Sequence, residues 1–130
     1  TDQGAHEVNY AFYPHTGDWR SGTVQAGYAF NQPLRTVNNG PVLENGITVS
    51  DTACIVETLK KAEDGNGYVL RVYEAHGGSR QVAITLPFGV IDVTCTNLME
   101  DPEATEQAAL AENTLSFSLK PFEIRTFRLK

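Results

Sequence analysis

Tyr68-Val69-Leu70-Arg71-Val72-Tyr73-Glu74-Ala75 runs into His76-Gly77-Gly78 and then, after Ser79, into Arg80-Gln81-Val82-Ala83-Ile84-Thr85-Leu86. Both runs are rich in β-branched and aromatic residues, and the glycine pair between them reads as a hairpin turn. Working upstream, Glu63-Asp64-Gly65-Asn66-Gly67 is dense in turn formers and separates Tyr68–Ala75 from a further strand-like run, Ala53–Lys60 (ACIVETLK), giving another hairpin. Ile47–Ser50, Asp92–Leu98 (DVTCTNL), Thr114–Leu119 (TLSFSL) and Phe122–Leu129 (FEIRTFRL) complete the strand set, the last two separated only by Lys120-Pro121. Many short strands joined by turns predict an all-β, mostly antiparallel sandwich. Its inward side chains are expected to be Val69 or Leu70, Val72, Ile84, Leu86, Phe117 and Ile124.

Two segments test that reading. Asp101-Pro102-Glu103 has the composition of a helix start, and the alanines of ATEQAALAEN (104–113) favour a helix. Against this, ALAEN followed by TLSFSL reads as two strands turning at Glu112-Asn113, and the strand reading is preferred. At the other end, His6–Tyr13 (HEVNYAFY) alternates His6, Val8, Tyr10 and Phe12 against Glu7, Asn9, Ala11 and Tyr13, which predicts a strand. Pro14 stops it. Thr23–Phe30 (TVQAGYAF) is expected to be a short helix, although Gly27 costs it about 1 kcal/mol relative to Ala. Asn31-Gln32-Pro33-Leu34 and Asn38-Asn39-Gly40-Pro41 mark an irregular connector.

The chain has 130 residues, of which 41% are apolar and 20% charged. At that length one core is affordable, and residues 1–130 are expected to form a single β-sandwich domain. The net charge of −6 opposes a phosphate backbone or an anionic surface, so nucleic acid and membrane are poor partners. No run approaches the ~20 apolar residues that span a bilayer. The opening Thr1-Asp2-Gln3-Gly4 has neither an initiator Met nor a signal-peptide pattern, and the expectation is an excised piece of a longer chain. Excision should leave an apolar face or an open strand edge, so the isolated piece is expected to self-associate or to be only marginally stable. Cys54 and Cys95 lie in apolar alternating runs without other ligands at metal spacing, and are expected to be buried, unlinked thiols.

Catalytic constellations are weak. His6-Glu7 begins like a zinc-protease motif, but the position one helical turn on is Tyr10, on a strand-like run. His6, His15 and Asp18 are suitable zinc ligands by type but share no face. None of the sixteen carboxylates forms a pair singled out by spacing for glycoside hydrolysis, and Glu63-Asp64 most simply solvate a turn tip. A Cys54–His76 nucleophile and base would need a basic neighbour to lower the thiol pKa, and Cys54 sits in an apolar run. Arg71 and Glu74 fall on opposite faces of one strand and are read as structurally paired.

What remains is the loop Tyr13-Pro14-His15-Thr16-Gly17-Asp18-Trp19-Arg20, which places the chain's only tryptophan among turn residues. His15, Asp18, Trp19 and Arg20 combine an aromatic face with hydrogen-bonding tips, as sugar-contacting loops do. They equally suit a plug at the end of the sandwich or a contact with a neighbouring domain.

Gly4–Arg20 (GAHEVNYAFYPHTGDWR), Ala53–Glu63 (ACIVETLKKAE), Tyr68–Gly77 (YVLRVYEAHG) and Pro121–Lys130 (PFEIRTFRLK) resemble, in this order, the C-terminal β-domain of glycoside hydrolase family 38 α-mannosidases of the bacterial and cytosolic type. The resemblance runs from about Asp2 to Leu129. It implies a β-sandwich tail of mutarotase-like kind. It also implies a parent with a metal-dependent N-terminal α/β barrel, zinc being the expected metal, and a helical segment. That parent would cleave α-linked mannose with retention through an aspartate nucleophile and reside in the cytoplasm. The family's catalytic and metal-binding residues lie upstream, and no residue here matches their motifs. No catalytic residue, metal ligand or cofactor is therefore assigned within this chain; its implied partners are the upstream catalytic and helical domains and, through them, the α-mannoside. Val8-Asn9 depart from the family's more usual aromatic and Thr, and Val37–Gly46 is a variable connector. The competing readings are a stand-alone carbohydrate-binding sandwich, resting on the Trp19 loop, and, further off, a small metal-dependent enzyme using His6 and His15.

Overall fold

Alternation of side chains about a pleated backbone separates a strand's core face from its outer face, and here it builds two sheets that share one core. The computed structural model describes residues 3–36, 38–40, 46–104 and 107–130. The chain divides into two compact units, Thr1–Gly40 and Pro41–Lys130.

Within the second unit the strands are β1 (Thr48–Val49), β2 (Cys54–Lys61), β3 (Tyr68–Glu74), β4 (Arg80–Thr85), β5 (Val93–Thr96), β6 (Ala109–Ala111), β7 (Thr114–Leu119) and β8 (Ile124–Leu129). One sheet has the order β1-β4-β7-β6 and the other β2-β3-β8-β5, with every pairing antiparallel. Leu70, Val72, Phe127 and Leu129 from one sheet meet Val82, Ile84, Leu115, Phe117 and Leu119 from the other in a common core. The Phe117 and Phe127 rings, one from each sheet, lie 4.6 Å apart in a tilted pair. Cys54 and Cys95 are buried in the same core and are free thiols.

The β2–β3 hairpin forms as its turn residues predict, closed by the Gly65 N–H donating to the Ala62 carbonyl at 2.9 Å. Gly67 has φ of 93°, and a Cβ there would lie 2.2 Å from the Leu129 carbonyl oxygen, so no other residue fits without movement. The β6–β7 turn also falls at Glu112-Asn113, with Glu112 at φ 52°. Pro102 forms an antiparallel bridge with Thr96 rather than opening a helix; Thr105 and Glu106 lie outside the described residues.

His76-Gly77-Gly78 does not close a hairpin. β3 pairs with β2 and β8 while β4 pairs with β1 and β7, so the turn carries the chain from one sheet to the other. The reason is at Glu74, whose carboxylate accepts the N–H groups of His76 at 2.9 Å and Gly77 at 2.7 Å and bends the backbone away from β3. Gly77 takes φ 76°, and a Cβ there would lie 2.8 Å from the Phe122 ring.

Of the side chains expected inside, Val69, Leu70, Val72, Ile84, Leu86 and Phe117 are buried, whereas Ile124 is 56% exposed. Register explains the exception. Val72 faces the core and pairs across with Arg125, so Arg125 takes the inward place and Ile124, opposite Tyr73, faces out. The Arg125 guanidinium lies 5.4 Å from the Phe117 ring and 5.0 Å from the Phe127 ring. It donates to the Ser118 carbonyl at 3.0 Å and to Cys95 Sγ at 3.2 Å. Stacking on aromatic faces with fixed donors is how a guanidinium is accommodated in a core.

Arg71 and Glu74 are each paired, but not with each other: Arg71 donates to Thr126 Oγ1 and to the Leu98 carbonyl, both at 3.3 Å.

In the first unit the helix is found as expected, α1 spanning Thr23–Asn31. Residues 6–13, predicted as a strand, belong to no ladder among the described residues. Alternation supplies strand propensity, but a strand is completed only by a neighbouring strand in a ladder.

Candidate functional site

The loop that joins residues 6–13 to α1 is built by short-range hydrogen bonds. Gly17 takes φ 82°, and the Asp18 carbonyl then accepts the Ser21 N–H at 2.9 Å. Asp18 Oδ1 accepts the Arg20 N–H at 2.9 Å, an aspartate turn of the kind that side chain favours. The second carboxylate oxygen takes Arg20 Nη1 at 2.8 Å, so one carboxylate fixes both the backbone and the guanidinium of Arg20. The Arg20 Cζ stands 4.6 Å from the centre of the Trp19 ring, which is 40% exposed. At an exposed site such stacking contributes about 0.5–1 kcal/mol.

His15 stands in a neighbouring cluster. Its ring stacks on Tyr13 at 5.4 Å, its Nδ1 lies 3.1 Å from the Thr16 carbonyl and its Nε2 lies 3.2 Å from Thr23 Oγ1. The carbonyl can only accept, so Nδ1–H donates to it, while the Thr23 hydroxyl pairs with Nε2. The structure thus gathers Asp18, Trp19 and Arg20 into one exposed group and sets His15 beside it. Among the described residues no three His, Cys, Asp or Glu side chains converge as a metal set. His15 is engaged by Thr23 and Asp18 by Arg20, so these residues do not fit a metal centre.

Other charged groups, which the sequence does not single out, are structural. Glu100, 8% exposed and at φ 70°, accepts Lys60 Nζ at 2.9 Å, Arg128 Nη2 at 3.1 Å and the Glu63 N–H at 2.9 Å. Lys60 and Arg128 are the cross-strand neighbours of Val69 on its two sides, so the Glu100 carboxylate straps the outer face of β2, β3 and β8 over that buried valine. Lys60 also pairs with Glu63, and Arg128 with Asp64, at the hairpin tip. The Glu63 N–H, then the Lys60 ammonium, hold the Glu100 carboxyl below its ordinary pKa range. Cys54 is the opposite of an activated thiol: burial, with the Asp51 and Glu74 charges adding to it, pushes its pKa up to about 12.

A family model for the glycosyl hydrolases family 38 C-terminal beta sandwich domain matches residues 53–127. The chain is 33% identical over 140 residues to alpha-mannosidase G of Dictyostelium discoideum and 33% identical over 136 residues to alpha-mannosidase 2C1 of Mus musculus. It is 32% identical over 136 residues to alpha-mannosidase 2C1 of Homo sapiens. Each similarity covers 98% of this chain but only 12–13% of the relative's own length.

Proposed function

Since the chain belongs to the C-terminal β-sandwich domains of the family 38 glycosyl hydrolases, we propose that it serves as the non-catalytic C-terminal domain of an α-mannosidase. In this reading the hydrolysis of α-linked mannose is carried out by residues elsewhere in the polypeptide. The observation that carries it is the combination of a family match across most of the sandwich with α-mannosidase relatives similar along 98% of the chain. A divalent metal, zinc by the family resemblance, then belongs to the catalytic part; among the described residues no three His, Cys, Asp or Glu side chains gather as ligands. A cytoplasmic location is the companion proposal, supported by two free, buried thiols.

The Asp18–Trp19–Arg20 group and His15 take their role within that enzyme. An exposed indole beside a guanidinium offers a stacking face and directional donors, suited to a carboxylate or a sugar hydroxyl presented by the rest of the enzyme. The deciding experiment compares aryl α-mannoside hydrolysis by the whole encoded polypeptide and by the 130-residue chain. The reading expects turnover from the first, lost on chelation of metal, and none from the second. Turnover by the purified 130-residue chain would overturn it, and mannoside binding by a chain encoded with nothing upstream would favour a stand-alone binding module.

A further inference from the structure

Residues 6–13 have the alternation of a strand facing a core, yet Val8 is 79% exposed and Tyr10 and Phe12 are each 91% exposed. Three apolar side chains at alternate positions, all in water, are the pattern of a strand whose sheet lies outside the described structure. Their surroundings point the same way. None of the described residues 3–36 is buried, and α1, nine residues long, buries none of its side chains. An isolated helix of that length is marginal in water, and the described residues of this unit supply no core to hold it together. An open groove of about 440 Å³, lined by Phe12, Tyr13, Ala26 and Phe30 among others, extends the apolar surface from the strand-like run onto α1. The family match begins only at residue 53, whereas similarity to the mannosidase relatives covers 98% of the chain. Residues 3–36 are therefore shared with the relatives without being part of the matched sandwich.

We propose that residues 6–13 are a β-strand of a second sheet, contributed to the part of the polypeptide that precedes the sandwich, and that the domain boundary falls between residue 36 and Thr48. The inference rests on the reading that this chain is one piece of a longer polypeptide. Strand addition accounts for both features of the run: an extended backbone offers its N–H and C=O groups to a sheet edge, and the Val8, Tyr10 and Phe12 face covers an apolar layer. Pro14 ends the ladder, and the Trp19 loop and α1 then continue over the same preceding domain. The occupant is in cis, because the relatives carry most of their length outside the region matched here.

Hydrogen exchange tests this with the whole encoded polypeptide beside the 130-residue chain. In the whole polypeptide the amides of residues 7–13 should exchange orders of magnitude more slowly than in the 130-residue chain, while β3 and β8 stay protected in both. Tyr10→Asp should lower the melting temperature of the whole polypeptide by several degrees and Asn9→Asp, on the other face, by far less; neither should move the sandwich transition of the 130-residue chain. Fast exchange at residues 7–13 in the whole polypeptide overturns the proposal. So does slow exchange there in the monomeric 130-residue chain, protection that grows only with dimerisation of that chain, or a reading frame encoding nothing ahead of Thr1. A whole polypeptide that protects these amides but cleaves no α-mannoside leaves the strand assignment standing and removes only the enzymatic reading.

Discussion

The Glu74 carboxylate accepts the backbone N–H of Phe122 at 3.0 Å, joining positions 48 apart in the sequence. The same oxygen takes the Gly77 N–H, and its partner oxygen takes that of His76. Glu74 is 1% exposed, and it ties together two of the connections by which the chain passes from one sheet to the other: β3 to β4, and β7 to β8. Phe122 is held at φ 58° in that second corner, with its ring over Gly77. Glu74→Gln keeps the shape but gives up the charge on which the N–H groups of His76, Gly77 and Phe122 converge. It should cost about 2–4 kcal/mol, since bonds to a charged acceptor contribute about 1.5–3 kcal/mol each and losses within one network are not additive. Urea unfolding of the 130-residue chain measures this; a change within about 0.5 kcal/mol would mean that the corners hold without the carboxylate.

Burial alone would raise the Glu74 pKa, but the N–H groups of Phe122, His76, Gly77 and Gly78 outweigh it and hold the carboxyl below its ordinary range. Glu100 is lowered too, by the Glu63 N–H and the Lys60 ammonium. A carboxyl more acidic in the folded chain than in the unfolded one contributes its full stability above the unfolded pKa of about 4.3, and loses it as pH falls through the lower folded value. The urea midpoint should accordingly fall on acidification below about pH 4.5, and Glu100→Gln should make that fall shallower. A midpoint that rises between pH 5 and pH 3 would contradict both assignments.

With its pKa pushed up to about 12 and its side chain buried, Cys54 should resist alkylation in the native chain at pH 8 and react at the rate of an ordinary thiol once urea unfolds it. Mass spectrometry after iodoacetamide treatment reads this directly. Rapid native labelling of Cys54 would place it outside the core.

Strand phase has its own check. Phe127→Ala should cost about 3–5 kcal/mol, because its fully buried ring leaves a cavity beside Phe117 and Arg125. Ile124→Ala should cost less than about 1 kcal/mol, because its side chain is in solvent. Equal losses would mean that β8 is turned over.

Strand identity was legible because alternation and turn chemistry are local. ACIVETLK, YVLRVYEA and TLSFSL announce themselves, as does Glu112-Asn113. Sheet membership was not, since a Gly-Gly turn serves a hairpin and a crossover alike, and the choice here is made by a Glu74–Phe122 bond that no short window contains. The β8 phase failed for a related reason: an apolar scale puts Ile124 inside and Arg125 outside, whereas register against Val72 and two aromatic rings reverse them. Glu100 carried no signal at all, because its burial comes from a loop folding back onto Lys60 and Arg128. The Trp19 loop did stand out, as an aromatic among turn residues, although the Asp18–Arg20 pairing that organises it became visible only in the structure.

That pairing sets the last prediction. Asp18, Trp19 and Arg20 are all solvent-exposed, and an exposed ion pair contributes at most about 1 kcal/mol, so the loop's own interactions do little to stabilise the 130-residue chain. If the group instead meets the rest of an α-mannosidase, its worth is realised there, where desolvation strengthens a guanidinium's bonds and an indole fills apolar space. Trp19→Ala and Arg20→Ala should therefore shift the melting temperature of the 130-residue chain by no more than about 2–4 °C. In the whole polypeptide the same changes should raise KM, lower kcat or lower the melting temperature well beyond that shift. Asp18→Asn separates two roles: loss through Arg20→Ala alone marks the guanidinium as the contacting group, and equal loss through both marks the locked Asp18–Arg20 geometry as the requirement. Unchanged kinetics and stability in all three variants of the whole polypeptide would leave residues 15–20 as an ordinary surface turn.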